Sequence, residues 1–325
     1  MSNVNKITTT LELVVPHKGK DVKETQKFDQ SARIIGLIII YAFLIAAAAI
    51  VIFPFIYMII ASGMLEDDLT AGYLWPVQGN LFENMAKNFS DTLAVFDYGT
   101  YVGNTLIVAF STTALQLVIT ILSAFAFARL TFRGRDLLFT IFLSTMMIPG
   151  EMMVITNYIT MGNLGLSGNN QTLWQAYLAM ILPFISSVFY IYLLRQNFKQ
   201  IPNELYLAAK VDGKSDWSYL WKVMVPLAAP TLITITILAI IGSWNAYVWP
   251  KLITSSAKNN TDYWLISVAL RDSQRLAKEI RPDEMRPQYA WQMCASVLTV
   301  VPLLALFIIF RKYIMRGTGR AGLKG

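Results

Sequence analysis

Cysteine and histidine are nearly missing from this chain, which has one of each, Cys294 and His17, in 325 residues. A lone cysteine makes neither an internal disulfide nor a zinc site, and Cys294 stands in an apolar stretch that suits inert packing. His17 lies in a polar stretch with no acid–base partner nearby, so a solvated imidazole is the better reading. Serine–histidine and cysteine–histidine catalysis are therefore disfavoured, and with them an intramembrane enzyme. Charge is scarce as well: 14% of residues are charged against 55% hydrophobic, with a mean hydropathy of +0.49. The net charge is +7, yet no basic stretch is interleaved with stacking aromatics, so nucleic acid is not an expected partner. Gly213-Lys214-Ser215 ends like a phosphate-binding loop, but the first glycine of such a loop would fall at Ala208. No buried strand precedes it either. The chain is not expected to bind ATP, a metal or any other cofactor itself.

What the sequence has in quantity is apolar runs. Stretches of membrane-spanning length, roughly 20 residues each, occur at 34–61, 101–128, 137–161, 174–194, 226–250 and 291–311. An all-α integral membrane protein with six transmembrane helices is the fold expected, its transmembrane domain running over 34–311. The first run is too long for a signal peptide and follows 33 mostly polar residues, which are expected to form a soluble tail. Lys and Arg outnumber Asp and Glu by 19 to 8 over the tail 1–33, the loops 129–136 and 195–225, and the C-terminal stretch from Arg311. On the other side, the loops 62–100, 162–173 and 251–290 hold 8 basic and 11 acidic residues. The excess of positive charge places both termini (1–33 and 312–325) and the loop 195–225 in the cytoplasm of a cell-membrane protein surrounded by lipid.

The most informative segment is IPNELYLAAKVDGKSDWSYLWKVMVP, residues 201–226, polar and basic between two apolar runs. Asn203 is read as a helix cap. Leu205, Ala208 and Ala209 recur at helical spacing and make a narrow face that a partner could approach closely. Gly213 stops that helix in the left-handed conformation, and Ser215 caps a second helix whose Trp217, Leu220, Trp221 and Met224 fall on one face. Ala208-Ala209, then Asp212-Gly213, then Pro226 thirteen residues after the glycine is a pattern similar to the "EAA" loop of binding-protein-dependent ABC importer permeases. The chain departs from it at Leu207, where that family carries glutamate; Glu204 lies one turn earlier. Trp244-Asn245, Trp249-Pro250, Trp291, Met293, Pro302 and the tail RKYIMRGTGRAGLKG extend the likeness to the sugar-importer branch, the maltose-type second permease subunit in particular.

That resemblance implies a type I ABC importer permease fold. It also implies a complex with a second permease, two ATPase subunits that carry ATP and Mg, and an extracytoplasmic solute-binding protein delivering a carbohydrate. Glu204, Leu207, Ala208, Ala209, Asp212, Gly213 and Trp217 would dock on the ATPase, and the tail with Arg316, Arg320 and Lys324 would contact the same partner. An oligosaccharide or glycoside is the expected substrate, with a sugar phosphate or other polyol as the alternative. A stand-alone secondary transporter is the rival of a different class; it would use paired intramembrane acids or broken helices and need no docking loop. Trp244 and Asn245 are the expected pathway residues, an aromatic face beside an amide. Glu151, after Pro149-Gly150, is read either as facing that path or as capping a helix break. Asn104 and Gln116 are read as interhelical hydrogen-bonding residues. The mixed charges of 271–286 suggest that 251–290 is a solvated helical arm reaching the solute-binding protein.

Overall fold

A computed structural model of the chain describes residues 21–257, 260–272 and 289–319. Residues up to Tyr57 form one unit and those from Met58 a second. The first is most of α1 (Asp21–Ala61), whose apolar residues between Ile34 and Ile56 are exposed on all sides, as for a helix surrounded by hydrocarbon. The helix begins at Asp21, within the segment read as a soluble tail, and its membrane-spanning part begins at Ile34. Residues 1–20 lie outside the described part.

In the second unit the segment 62–100 folds as α2 (Glu66–Thr70) and α3 (Leu81–Val95). Asp97 caps α4 (Tyr98–Arg129) by accepting from Thr100 N. After a short loop, Gly134 at φ +78° opens α5 (Arg135–Ser144). Then come α6 (Val154–Asn163), α7 (Leu173–Ile181), α8 (Val188–Gln200), α9 (Asn203–Val211) and α10 (Asp216–Tyr219). A π-helical turn, Leu220–Met224, leads through α11 (Val225–Leu227) into α12 (Ala229–Asn245). The last are α13 (Val248–Thr254), α14 (Ile266–Arg271) and α15 (Tyr289–Gly319). Every one of these elements is helical.

Three spans are continuous helices, at Ile34–Ala61, Tyr98–Arg129 and Tyr289–Arg311. The other three are bent pairs: Arg135–Met147 with Gly150–Asn163 (87°), Leu173–Phe184 with Val188–Gln200 (51°), and Asp216–Leu227 with Ala229–Asn245 (77°). Proline is the local cause. Pro149 forces Ile148 into extended backbone, Pro183 sits in the 3-10 turn after α7, and Pro230 lies in the first turn of α12, where its missing N–H costs nothing. Six spans are thus counted if each bent pair crosses once.

α4 is the central element, packed against α8 and α12, and α12 packs in turn on α15. Asn104 of α4 fastens three parts of the chain. Its amide donates to the carbonyls of Asp262 (2.8 Å) and Trp264 (3.1 Å), and its oxygen accepts from Tyr177 Oη (2.6 Å). Gln116 donates to Phe184 O (3.0 Å) at the bend between α7 and α8, so both residues join helices as read.

The segment 251–290 is not a solvated arm through its first half. Trp264, Leu265, Ile266, Val268 and Ala269 are fully buried, and Ile266 N donates to Thr105 Oγ1 (2.9 Å). A run this apolar gains about 1.5–3 kcal/mol per large side chain by leaving water, more than the neighbouring charges can oppose. Those charges stay at the edge: Lys251 pairs with Asp272 at 2.8 Å and Arg271 lies over Tyr247. Residues 273–288, which hold most of the mixed charge, lie outside the described part. At the other end the helix α15 continues to Gly319, past the start of the expected tail, and residues 320–325 are not described.

Candidate functional site

Two features stand out, the α9–α10 loop and a cavity among the helices. Gly213 has φ +69°. Lys214 N donates to Ala209 O (2.9 Å) and Gly213 N to Lys210 O (3.0 Å), the paired bonds by which a left-handed residue satisfies the last carbonyls of a helix. Ser215 accepts from Ser218 N (3.2 Å) and caps α10. The first cap differs from the reading: Pro202 is the cap residue of α9, and Asn203 is the first helical residue. The Asn203 side chain is engaged instead by Arg129 Nη1 (3.3 Å).

A polar staple closes the turn. Lys210 Nζ and Tyr206 Oη both reach Asp216 Oδ1, at 2.8 and 2.7 Å. Hydrogen bonds from Lys210 and then Tyr206 hold the Asp216 carboxyl below its ordinary range. Beneath it Tyr206 and Ala209 pack on Phe125, Phe198, Tyr219, Leu220 and Met224.

The outer face of the loop is apolar. Leu207 is 56% exposed, Val211 88% and Trp217 62%, with Leu205 beside them. Ala208, Asp212, Gly213 and Glu204 are exposed too. The aromatic face expected of α10 divides: Leu220 and Met224 are buried, whereas Trp217 stays outside and meets Trp221 edge-on at 5.7 Å. The π-helical turn from Leu220 shifts the side-chain register, and sequence periodicity carries no sign of that. Val211 was missed because a valine before Asp-Gly reads as the last buried residue of a helix.

Arg129, at the end of α4, was also missed. Its Nη2 donates to Phe198 O (2.9 Å) and Ile201 O (2.5 Å), while Nη1 holds Asn203. One guanidinium therefore caps α8 and orients α9. Nearby, buried Arg195 donates to Phe127 O (3.1 Å), stacks over Phe139 (3.8 Å) and meets Asp136 at 3.4 Å.

The cavity, about 350 Å³, lies between α4, the α7–α8 bend, α12 and the start of α13. Thr112, Gln116, Tyr190, Ser243 and Trp249 are among its lining residues. Of the residues read as pathway groups, none lines it. Trp244 is 1% exposed, packed with Phe96, Tyr101 and Trp264; its face is not open to a solute, which corrects the pairing with Asn245. Asn245 is exposed, and its Nδ2 donates to Ile241 O (3.0 Å). Glu151 is exposed in the 3-10 turn after Pro149, and that turn has no side-chain cap. The capping reading of Glu151 is thus not realised.

The sequence profile described as "Binding-protein-dependent transport system inner membrane component" matches residues 116–320. The chain is similar to the lactose transport system permease protein LacG of Rhizobium radiobacter, 28% identical over 280 residues, 86% of this chain and 94% of that one. It is also similar to the sn-glycerol-3-phosphate transport system permease protein UgpE of Yersinia pestis, 26% identical over 283 residues, 84% and 92% of the two chains. Among solved structures, a bacterial ABC transporter involved in import of the acidic polysaccharide alginate has a chain with TM-score 0.70 and 25% identity. That match covers 87% of this chain and 97% of the other.

Proposed function

The chain belongs to the family of binding-protein-dependent transport system inner membrane components, and from that membership we propose that it is the permease subunit through which a carbohydrate importer is driven by ATPase partners. Family membership makes it a membrane-embedded transport component and not an enzyme. The observation that carries the coupling is the α9–α10 loop, a rigid helical corner with an apolar outer face, moored by Arg129 to the end of a span. A rigid corner transmits displacement of a partner to the helices behind it, whereas a flexible loop would absorb it. ATP and Mg are held by two ATPase subunits. Their closure draws this loop and that of a second permease together and turns the pair from inward- to outward-facing. A solute-binding protein delivers the sugar on the opposite side. The positive charge excess supports a cytoplasmic position for the loop and both termini. The tail beyond Gly319 is assigned to the ATPase contact by resemblance alone.

An oligosaccharide or glycoside is the favoured substrate, with a sugar phosphate as the second reading because one relative carries glycerol phosphate in its name. Purifying the chain from membranes with its genomic neighbours tests the proposal. An ATPase subunit is expected to remain bound in detergent, and the reconstituted complex to take up sugar only with ATP. Uptake driven by an ion gradient without an ATPase would establish a secondary transporter instead.

A further inference from the structure

The loop between α4 and α5 surrounds an open recess of about 540 Å³, lined by residues 131–137. Its level in the bilayer follows from its neighbours. One span ends at Arg129 and the next opens at Arg135, so the recess lies where hydrocarbon gives way to headgroups and water.

Positive charge gathers at this recess. Arg133 lines it, is exposed and, among the described residues, has neither a hydrogen bond nor an ion pair. Arg135 donates from Nε and Nη2 to the two oxygens of Asp136, at 3.2 Å each, and from Nη1 to Leu130 O at 3.3 Å. Arg195 meets the same carboxylate at 3.4 Å. Lys199, near the end of α8, lies within electrostatic reach of Arg135, Arg195 and Asp136. Four cations are thus grouped about one carboxylate, and two of them already hold it. Asp136 is the one group of the recess that opposes an anion, and both its oxygens are taken by guanidinium. Like charges grouped this closely repel, the more so where water is partly excluded. An anion relieves that repulsion, and guanidinium groups take phosphate oxygens in pairs.

Below the charge the surface is apolar. Leu137, itself a lining residue of the recess, is 68% exposed, and Leu138 and Ile141 are 50% and 54% exposed. Leu137 and Ile141 stand one turn apart on α5 and share a face, so a bare apolar strip runs from the recess along a span. A free phosphate or an acidic peptide would use the charge and leave the strip uncovered. A molecule that joins an anionic head to hydrocarbon uses both. We infer that this recess binds one anionic phospholipid, with its phosphate on Arg133 and Arg135 and an acyl chain along Leu137 and Ile141. The excess of positive charge selects an anionic over a zwitterionic headgroup, because each basic residue near the membrane surface adds attraction that a neutral headgroup does not return. The site requires only that the chain be embedded in a membrane, so it stands apart from the carbohydrate-importer reading.

The test uses the full-length chain purified in a mild detergent. It is titrated with phosphatidylglycerol and with phosphatidylcholine of the same acyl chains, and bound lipid is counted by native mass spectrometry. Phosphatidylglycerol is expected to bind about tenfold more tightly or better. Arg133→Gln, which removes a side chain without bonds to the rest of the fold, should weaken it about fivefold, one basic residue's share, and melt with the parent. Leu137→Asn should weaken it as well. Lys87→Gln, which removes an exposed charge from α3, should leave it unchanged. The site is overturned if phosphatidylcholine binds as tightly, if Arg133→Gln binds like the parent, or if Lys87→Gln loses as much as Arg133→Gln. Millimolar inorganic phosphate is expected to leave the lipid in place; its displacing the lipid would establish a phosphate site and overturn the lipid one.

Discussion

A Cβ at residue 213 would meet no atom within 4 Å, so it is conformation and not space that calls for glycine there. A side chain held at φ +69° costs about 1–2 kcal/mol, except that asparagine adopts this conformation readily. Gly213→Asn is therefore expected to keep near-parental uptake, while Gly213→Val lowers it roughly 5–30-fold at equal membrane abundance. Equal uptake by the two variants would remove the turn from the mechanism. Leu207 makes a second point at this scale. It stands where the family carries glutamate, and the apolar side chains of Val211 and Trp217 share its exposed face. A leucine gains about 1.5–3 kcal/mol when wholly buried; half-exposed already, Leu207 has about 1 kcal/mol left to gain, roughly fivefold in affinity. Leu207→Glu should lose at least that and also strand a carboxylate in a dry contact. Glu204→Gln should matter less, since exposed ion pairs contribute about 0–1 kcal/mol. Retention of the ATPase subunit on the purified complex decides: tight binding by Leu207→Glu with dissociation of Glu204→Gln would establish an ionic contact.

Among the elements, the joint between α8 and α9 is the one through which force must pass. Arg129 satisfies the last carbonyls of α8 and holds the first residue of α9 with one planar group. A hydrogen bond to a charged group is worth about 1.5–3 kcal/mol. Arg129→Ala should free α9, raise amide exchange across residues 203–213 several-fold, and weaken transport more than assembly. Arg129→Lys should recover only part, because an ammonium cannot reproduce the fork. Unchanged exchange in Arg129→Ala would show that packing on Phe198 and Tyr219 is enough. The staple at the other end of α9 is less sensitive to conditions. The Asp216 carboxyl is shifted down, so its contribution is present above the ordinary carboxylate range and is lost only as pH falls through the depressed value. Its exposed position keeps that contribution small.

At the scale of the whole molecule, the division between what could be read and what could not follows the range of the interactions. Six apolar runs were legible because the bilayer sets a length that composition reveals. The stop at Gly213, the cap at Ser215 and the break at Pro149 were legible because each is a contest within a few residues of chain. The burial of Trp244 beside an exposed Asn245 was not, nor was the packing of Trp264 to Ala269 behind α4. In a membrane protein, side chains that face lipid and side chains that face other helices are equally apolar, so hydropathy does not separate them. Arg129 reaches carbonyls about seventy residues away, and the cavity draws its hydroxyls from α4, α8 and α12; no local pattern encodes either. The sequence by itself determined a helical membrane protein with a glycine-stopped corner between two of its spans, since bilayer thickness and backbone sterics act locally. Only the tertiary structure decided which face of that corner is bare, which guanidinium holds it, and which side chains line an uncharged cavity, because those depend on chains of contact between residues far apart in sequence.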